Sequence, residues 1–524
     1  MLVFEIVIAL LLGGVGLAAL ARRISTPYPA LVAMAGAALA LVPRAPTLVL
    51  DPELALALFV APVLLDSAFD ASQRDLRNNW RQIASLALGA VALTVAVVAL
   101  VAHALVPGVP WAAAIALGAI VAPPDAAAAT AVLKQLRPPH RLLVILEGES
   151  LFNDASALLI YRIAVGATVT GALFGWHVIP MMLFVTVGSF VLGVVLSRVV
   201  LFINRGIEDV ATAVIVQFCG TFAVWLLAER LHLSGILTMV VFAMAVSRRA
   251  AEVVPARIRV PSYAVWEVVV FVLNILAFIL VGFQLKGIIG RMAHGMWIQY
   301  AWIAVAVCAA TILARIAWVS GAAAVSRWRC RAVDGPHDLV ALSNREAAVV
   351  GWCGMRGTVT LAAALALPGS FPYRDLILFT SFAVVLGTLV LQGMTLRPLI
   401  AMLHLPNDNA VEREVRLARV ETLRAALAAC TTCAGAETAE LVRRRYELLL
   451  RRAEAEIGDS AEDDENGRWR ALPEDAEAVR AATTAERSRL VALRDDGTIG
   501  DAAFQVIEQE LDLEELDLEQ LVRG

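Results

Sequence analysis

The feature that most constrains the fold of this chain is a series of apolar blocks that recur as far as about residue 400. Each block is long enough to cross a bilayer, which requires about 20 mostly apolar residues per helix. Hydrophobic residues make up 60% of the chain and charged residues 17%. Soluble globular proteins are about 45–50% apolar and about 25% charged. The sequence therefore predicts an integral membrane protein.

The first block, residues 2–20, can be interpreted as a cleaved signal peptide or as a membrane span. Glu5 lies where a signal peptide carries basic residues, and Arg22 and Arg23 follow the block. This order of charges is typical of a span that is retained in the mature chain. We therefore expect residues 2–20 to form the first membrane helix.

Polar breaks divide the apolar blocks into about thirteen predicted spans, so the expected fold class is an all-α polytopic membrane protein. The loops that follow odd-numbered spans carry eighteen Lys and Arg residues, and the loops that follow even-numbered spans carry five. Cytoplasmic loops hold the excess of basic residues in membrane proteins. This asymmetry predicts an N-terminus outside the cell and a C-terminal tail in the cytoplasm.

A change of composition near residue 404 predicts two domains, a transmembrane domain (1–403) and a cytoplasmic helical tail (404–524). The tail mixes apolar residues at helical spacing with dense Arg and Glu, around an acidic linker at 458–467. The helices expected in it are 411–434, 437–457, 476–493 and 502–521. We interpret the tail as a solvated packing module, with regulation or oligomer formation as the alternative; its partner is unknown.

Several charged residues lie inside the apolar blocks, where each costs about 2.5–3.5 kcal/mol on insertion scales and needs an explanation. They are Asp66, Asp125, Glu147, Glu149, Asp154, Arg162, Glu267, Arg315, Glu346 and Arg356. Some are expected at the membrane interface. Three stretches of sequence that contain these residues indicate chemistry.

The first stretch, GAIVAPPDAAAATAVL at 118–133, contains two consecutive prolines. Pro123 and Pro124 remove two backbone donors and disfavour helical geometry, so a helix is predicted to break beside Asp125. Broken backbone is tolerated at membrane depth only where it is buried in protein or lines a cavity. The alternative is a proline kink at the end of a span, with Asp125 as an N-cap.

The second stretch, ILEGESLFNDASALLIYRI at 145–163, places polar residues on adjoining faces of one helix. Ser150 and Asp154 are four residues apart, and Glu149 and Asn153 form the neighbouring stripe. A carboxylate, a hydroxyl and carbonyls freed by a helix break suit a hard cation such as Na+. The alternative is a solvated helix end.

The third stretch, NREAAVVGWCGMRGTVTLAAALALP at 344–368, contains Arg356 between Gly354 and Gly357. A buried arginine stays charged and needs an acidic partner or a cage of acceptors. We expect Glu149 to be that partner. The alternative is an arginine that extends to the cytoplasmic edge of the membrane.

At these residues the chain resembles the cation/proton antiporter-1 family, and especially its bacterial Na+/H+ exchangers. The matching stretches are PVLLDSAF (62–69), APPDAAAATAVLKQL (122–136), LEGESLFNDASAL (146–158), LLAERLHLSGILTMVV (226–241), LNILAFILVGFQL (273–285) and GWCGMRGTVTLAAALALP (351–368). The resemblance covers residues 1–400 and implies thirteen spans with inverted repeats, crossed discontinuous helices near the ion site, and a homodimer.

The resemblance also implies roles for individual residues. Asp154 is similar to the family's ion- and proton-carrying aspartate, and Asn153 to the neighbouring asparagine that orients the site. Asp125 corresponds to the aspartate of a Thr-Asp-Pro element, and Ser150 to a hydroxyl ligand.

Further positions either match the family or depart from it. Glu149 and Arg356 correspond to a structural ion pair. The Thr-Asp-Pro element reads Pro124-Asp125-Ala126 here, so Pro124 can contribute only its backbone carbonyl. Asp66 stands in place of a more usual glutamate and is one methylene shorter, so its contact with the ion can become water-mediated.

The resemblance implies an antiporter of the inner (plasma) membrane that exchanges a monovalent cation, with Na+ favoured, for H+ by alternating access in pH and sodium homeostasis. Asn153, where some related exchangers carry a second aspartate, suggests electroneutral exchange. The alternatives are a K+/H+ antiporter, a cation channel and a membrane sensor that displays the tail. We expect no enzymatic activity, no cofactor besides the transported Na+, K+ or Li+ and H+, no nucleic-acid partner, and membrane lipid around the spans.

Overall fold

A computed structural model describes most of the first 432 residues of this protein. The described residues are 2–23, 27–40, 52–125, 129–130, 133, 138–170, 178–291, 296–332, 342–405 and 410–432, with isolated positions at 443–444, 446–447, 450–451, 453–454 and 513. All regular secondary structure in these residues is helical. The chain divides into two compact units, Met1–Asp408 and Asn409–Gly524.

The first unit contains sixteen described α-helices, and a π-helical segment (Ser85–Ala90) joins α5 to α6. The helices are α1 (Leu2–Arg23), α2 (Tyr28–Ala40), α3 (Pro52–Asp70), α4 (Gln73–Asn78), α5 (Trp80–Ala84), α6 (Val91–Leu105), α7 (Trp111–Val121), α8 (His140–Thr170), α9 (Val178–Asn204), α10 (Val210–Arg230), α11 (Gly235–Val253), α12 (Ala256–Arg291), α13 (Met296–Ala332), α14 (Asn344–Trp352), α15 (Thr358–Leu365) and α16 (Arg374–Leu403).

Six stretches of helix in the described residues are long and apolar enough to cross a membrane. They are Trp80–Leu105, Pro180–Asn204, Val210–Arg230, Arg257–Ile279, Trp297–Arg329 and Arg374–Leu403. Tyr28–Leu39 and Trp111–Val121 are shorter apolar helices. The protein is thus a multi-pass membrane protein, as predicted, while the count of thirteen spans stays a prediction.

The helix α8 is 31 residues long. Glu147, Glu149, Asp154 and Arg162 interrupt its apolar sequence. Charges at this density have to be neutralised or to line a polar space if the helix lies in a membrane. This helix is therefore where a functional site is most expected.

Close helix packing holds α7 in place beside α8. A Cβ added to Gly118 of α7 would lie 2.7 Å from the carbonyl oxygen of Val95 on α6, so the two backbones touch. Around this contact, Val98 and Ile120 are buried in one apolar cluster with Val384 of α16. The end of α7 is thereby fixed against the centre of the first unit.

The second unit is described chiefly by α17, Ala410–Thr432. Arg424 on this helix forms ion pairs with Glu421 at 2.9 Å and with Glu454 at 2.8 Å. The helix agrees in position with the first helix expected in the tail. The acidic linker at 458–467 and the last two expected helices, apart from residue 513, lie outside the described residues.

Candidate functional site

Two helices of the first unit are broken, and the broken stretches lie against each other. The helix α7 ends at Val121, residues 122–125 are not helical, and helical geometry is present again at 129–130. The helix α14 ends at Trp352, and α15 begins at Thr358. The backbone N–H of Asp125 donates to the carbonyl of Met355 at 2.7 Å and joins the two stretches. The break predicted from Pro123 and Pro124 is present.

Arg356 closes the ends of both broken helices. Its Nε donates to the carbonyl of Val121, the last residue of α7, at 2.6 Å, and its Nη1 donates to the carbonyl of Gly354 just after α14. Its backbone N–H donates to Oγ1 of Thr388 at 3.0 Å. Unsatisfied carbonyls give the C-terminal end of a helix partial negative charge, which a buried guanidinium stabilises. Arg356 therefore holds the two breaks together.

The Asp125 carboxylate lies at a helix N-terminus, whereas Arg356 lies at helix C-termini. A Cβ built on Gly357, the residue before α15, would overlap the carboxylate of Asp125. The unpaired N–H groups of a helix N-terminus carry partial positive charge. The two breaks thus place a cation at helix C-termini and an anion at a helix N-terminus.

The expected ion pair between Glu149 and Arg356 is wrong. Glu149 is instead held by Arg315 of α13 in a two-pronged contact, in which Nη1 binds Oε1 and Nη2 lies 2.8 Å from Oε2. Both side chains are buried, at 1% and 2% exposure. Arg315 also donates to the carbonyl of Val350. Arg356 instead takes the other solution open to a buried arginine, a cage of carbonyls.

Asp154 stands in contrast to Glu149 on the same helix. It is only 5% exposed, yet none of the described residues donates a hydrogen bond to it or forms an ion pair with it. Its neighbour Asn153 donates from Nδ2 to the carbonyl of Pro124 at 3.3 Å. The Oδ1 of Asn153 has no partner among the described residues. Asn153 thus ties α8 to the first break and leaves the Asp154 carboxylate unbound.

A cavity of about 440 Å³ opens beside these groups. It is lined by all five residues predicted from the sequence to bind the ion or the proton: Asp66, Pro124, Asp125, Ser150 and Asp154. Glu149, Asn153 and Arg356, for which we expected an organising role, do not line it. They lie behind the wall and make the contacts described above.

The cavity wall also contains polar residues for which no role was predicted from the sequence. They are Tyr28, Ser67, Asp70, Thr130, Glu147, Glu267, Asn274, Thr358 and Thr360. Glu147 and Glu267 were noted only as charges within apolar blocks. Asp70 lies four residues after Asp66 on α3, so helical spacing could have identified it.

This arrangement can neutralise a charge with small ions. A buried carboxylate without a partner is strongly disfavoured in its ionised form, so it takes up a proton or binds a cation. Carboxylate, carbonyl and hydroxyl oxygens are the ligands of hard cations. Within the described part of the chain, no three His, Cys, Asp or Glu side chains are grouped closely enough to hold a metal cofactor.

Comparisons of the sequence give consistent matches over the first unit and beyond. The family model described as "Sodium/hydrogen exchanger, transmembrane" matches residues 6–402. An uncharacterized Na+/H+ exchanger of Mycobacterium tuberculosis is 31% identical over 98% of this chain and 96% of its own length. A sodium, potassium, lithium and rubidium/H+ antiporter of Bacillus subtilis is 31% identical over 71% of this chain and 57% of its own length.

A solved structure shares the fold. The sodium proton antiporter of Methanocaldococcus jannaschii, determined at pH 8, superimposes with a TM-score of 0.60 at 16% identity. The match covers 75% of this chain and 99% of the solved chain. At this level of identity the likeness is one of fold.

Proposed function

This chain belongs to the sodium/hydrogen exchanger family and is a cation/proton antiporter. We propose that Asp154 carries the proton and the cation in turn, and that Na+ is the preferred cation. The observation that carries the assignment is the contrast between two carboxylates of α8. Glu149 is neutralised by Arg315, whereas Asp154 has no partner in the described residues and lines the cavity. A carboxylate in that position requires a mobile ion.

Competition for one carboxylate makes the exchange obligatory. When Asp154 holds a proton, it is neutral and has no charge with which to attract a cation. When a cation binds, its charge favours the ionised carboxylate and displaces the proton. Neither form leaves a bare charge in the protein interior, which would be costly. We infer that the protein changes its side of access only in these two neutralised forms.

The cation is held by oxygens from three elements. Asp154 and Ser150 come from α8, Asp66 comes from α3, and Asp125 comes from the first break. The carbonyl of Pro124 already accepts a hydrogen bond from Asn153, but a carbonyl has two lone pairs and can also serve the cation. Several ligands of mixed charge replace the hydration shell that the cation loses on entry.

The charge balance favours electroneutral exchange. Glu149 and Arg315 cancel within the buried pair, and Arg356 stays fixed in its carbonyl cage. Asp154 is then the one buried group in the described residues to which we assign an exchanging charge, so one cation replaces one proton. We propose that the protein works in this way by alternating access in the inner membrane, as a homodimer with a cytoplasmic tail.

The test is exchange by the purified protein in liposomes, with each monovalent cation at several pH values. An imposed Na+ gradient is expected to change the internal pH without a protonophore, and Asp154→Asn is expected to abolish that change while the protein remains folded. Near-normal exchange in the variant would overturn the assignment of Asp154. A flux of Na+ without stoichiometric proton movement would favour a channel instead.

Two alternatives within reach of the same assay concern the cation and the tail. The Bacillus subtilis relative is named for four cations, so K+ is tested beside Na+, Li+ and Rb+. A K+ response at lower concentration than the Na+ response would make this a K+/H+ antiporter. Truncation after residue 408 is expected to retain exchange, whereas a sensor that acts through its tail would lose its function.

A further inference from the structure

Thr360 in the first turn of α15 carries a buried hydroxyl without a partner. The residue is 1% exposed, and its Oγ1 makes no hydrogen bond with any described group. The absence has a structural cause. A threonine in a helix ordinarily donates to the carbonyl four residues earlier, as Thr311 does to Val307 at 2.8 Å. For Thr360 that carbonyl belongs to Arg356, which lies before the helix begins.

A buried hydroxyl in this state is unfavourable, because it has lost its hydrogen bonds to water and gained none in exchange. Thr360 also lines the cavity that contains Asp125 and Asp154. Its neighbour Thr358 lines the same cavity. The first turn of α15 therefore contributes two hydroxyl-bearing residues to the wall of the cavity in which the cation is expected.

We propose that the hydroxyl oxygen of Thr360 is a ligand of the transported monovalent cation, an inference that rests on the proposed function. A hydroxyl oxygen has lone pairs suited to a hard cation. It is neutral, so it adds to the ligand count without changing the charge balance between the cation and the proton. It also supplies a side-chain ligand close to a break where Pro124 can offer only a carbonyl.

If Thr360 is a ligand, removing its hydroxyl should weaken Na+-dependent exchange without lowering the stability of the fold. Thr360→Val keeps the shape of the side chain and removes the unpaired hydroxyl. If the hydroxyl does not bind the cation, its removal is expected to leave the affinity for Na+ unaltered. The melting temperature should then be unchanged or raised. If it is a ligand, the Na+ concentration for half-maximal exchange is expected to rise by roughly tenfold, with Thr360→Ser close to the unchanged protein.

Thr380 of α16 provides the matched control. It is fully buried, and its Oγ1 also has no partner among the described residues, but it does not line the cavity. Thr380→Val is therefore expected to leave the Na+ dependence unchanged. An equal loss of affinity in the two valine variants would overturn the proposal, because it would reflect the loss of any buried hydroxyl.

Two measurements on the full-length protein decide the outcome: Na+-dependent exchange in liposomes, and the rise of the melting temperature in detergent with NaCl relative to choline chloride. An unchanged Na+ dependence of exchange in Thr360→Val overturns the inference. If Thr360→Val does not fold, an unchanged Na+ dependence in Thr360→Ala overturns it. If NaCl raises the melting temperature of the unchanged protein but no exchange is seen, the proposed function fails. A smaller rise of the melting temperature in Thr360→Val would then still support Thr360 as a cation ligand. With neither exchange nor a rise, both proposals fall.

Discussion

The carboxylate of Asp125 lies directly against the backbone of Gly357, where the two broken helices meet. A side chain of any size at position 357 would occupy the space of that carboxylate. The hydrogen bond from the N–H of Asp125 to Met355 fixes the two stretches at this distance. The approach places an ionisable group of the cavity at the N-terminus of α15.

We therefore expect Gly357→Ala to displace Asp125 and to reduce exchange by at least tenfold. The flanking backbone is held by the cage around Arg356, so it cannot move aside without breaking buried hydrogen bonds. Exchange in liposomes and the melting temperature in detergent measure the effect. Gly321→Ala on α13 is the control, because a Cβ there meets nothing within 4 Å. An active Gly357→Ala variant would show that the contact can relax.

The buried pair of Glu149 and Arg315 predicts a strongly non-additive pair of substitutions. Arg315→Met would leave Glu149 buried without its partner, and removing one partner of a buried pair destabilises by about 3–5 kcal/mol. Changing both residues, Arg315→Met with Glu149→Leu, is expected to recover most of that loss. The four melting curves of the cycle measure the coupling. Equal and additive losses would contradict a direct pair.

The sequence predicted which residues form this site better than it predicted which of their side chains contact each other. Two consecutive prolines in the interior of a helix remove two backbone donors and disfavour helical geometry, so the first break could be located from residues alone. The Ser150 hydroxyl and the Asp154 carboxylate could be placed on one face of α8 by helical spacing. All five proposed ligands line one cavity, but it is helix packing, not helical spacing, that brings α3 and the first break to α8.

Contacts across the bundle could not be predicted in the same way. Arg315 and Arg356 both lie in apolar sequence, and nothing in their spacing shows which of them faces Glu149. The choice depends on where α14 ends, because the freed carbonyls there satisfy Arg356. The unpaired state of Thr360 depends equally on where α15 begins. Both boundaries are set by tertiary packing.

The contact between Asp75 and His140 predicts a pH dependence of stability outside the spans. The distance from Asp75 Oδ2 to His140 Nε2 is 3.1 Å. Burial alone would raise the pKa of Asp75, but hydrogen bonds from His140 and Ser72 and the nearby positive charges lower it below its usual value. A carboxylate with a lowered pKa stabilises the fold above its unfolded pKa of about 3.9, and this contribution is lost as the pH falls through the folded value.

Asp75→Asn is therefore expected to lower the melting temperature at pH 6 by an amount that corresponds to roughly 1 kcal/mol. The difference from the unchanged protein should narrow as the pH falls below the unfolded pKa and through the lower pKa of the folded carboxylate. Melting curves between pH 3 and pH 7 in detergent measure it. A difference that persists unchanged at the acidic end would mean that the ionised carboxylate is not the stabilising group.

Asp66 and Asp70 allow direct ligation to be separated from general attraction. Both lie on α3 and line the cavity, one helical turn apart, but Asp66 is partly buried and Asp70 is exposed. A ligand inside the cavity is poorly screened by salt, whereas an exposed charge acts through a field that falls off within about 10 Å at 0.1 M salt. Asp66→Asn is therefore expected to raise the Na+ concentration for half-maximal exchange at least tenfold at any ionic strength. Asp70→Asn is expected to raise the Na+ concentration for half-maximal exchange only about twofold, and by less as choline chloride is added. Equal effects of the two substitutions, with equal dependence on salt, would exclude Asp66 as a ligand.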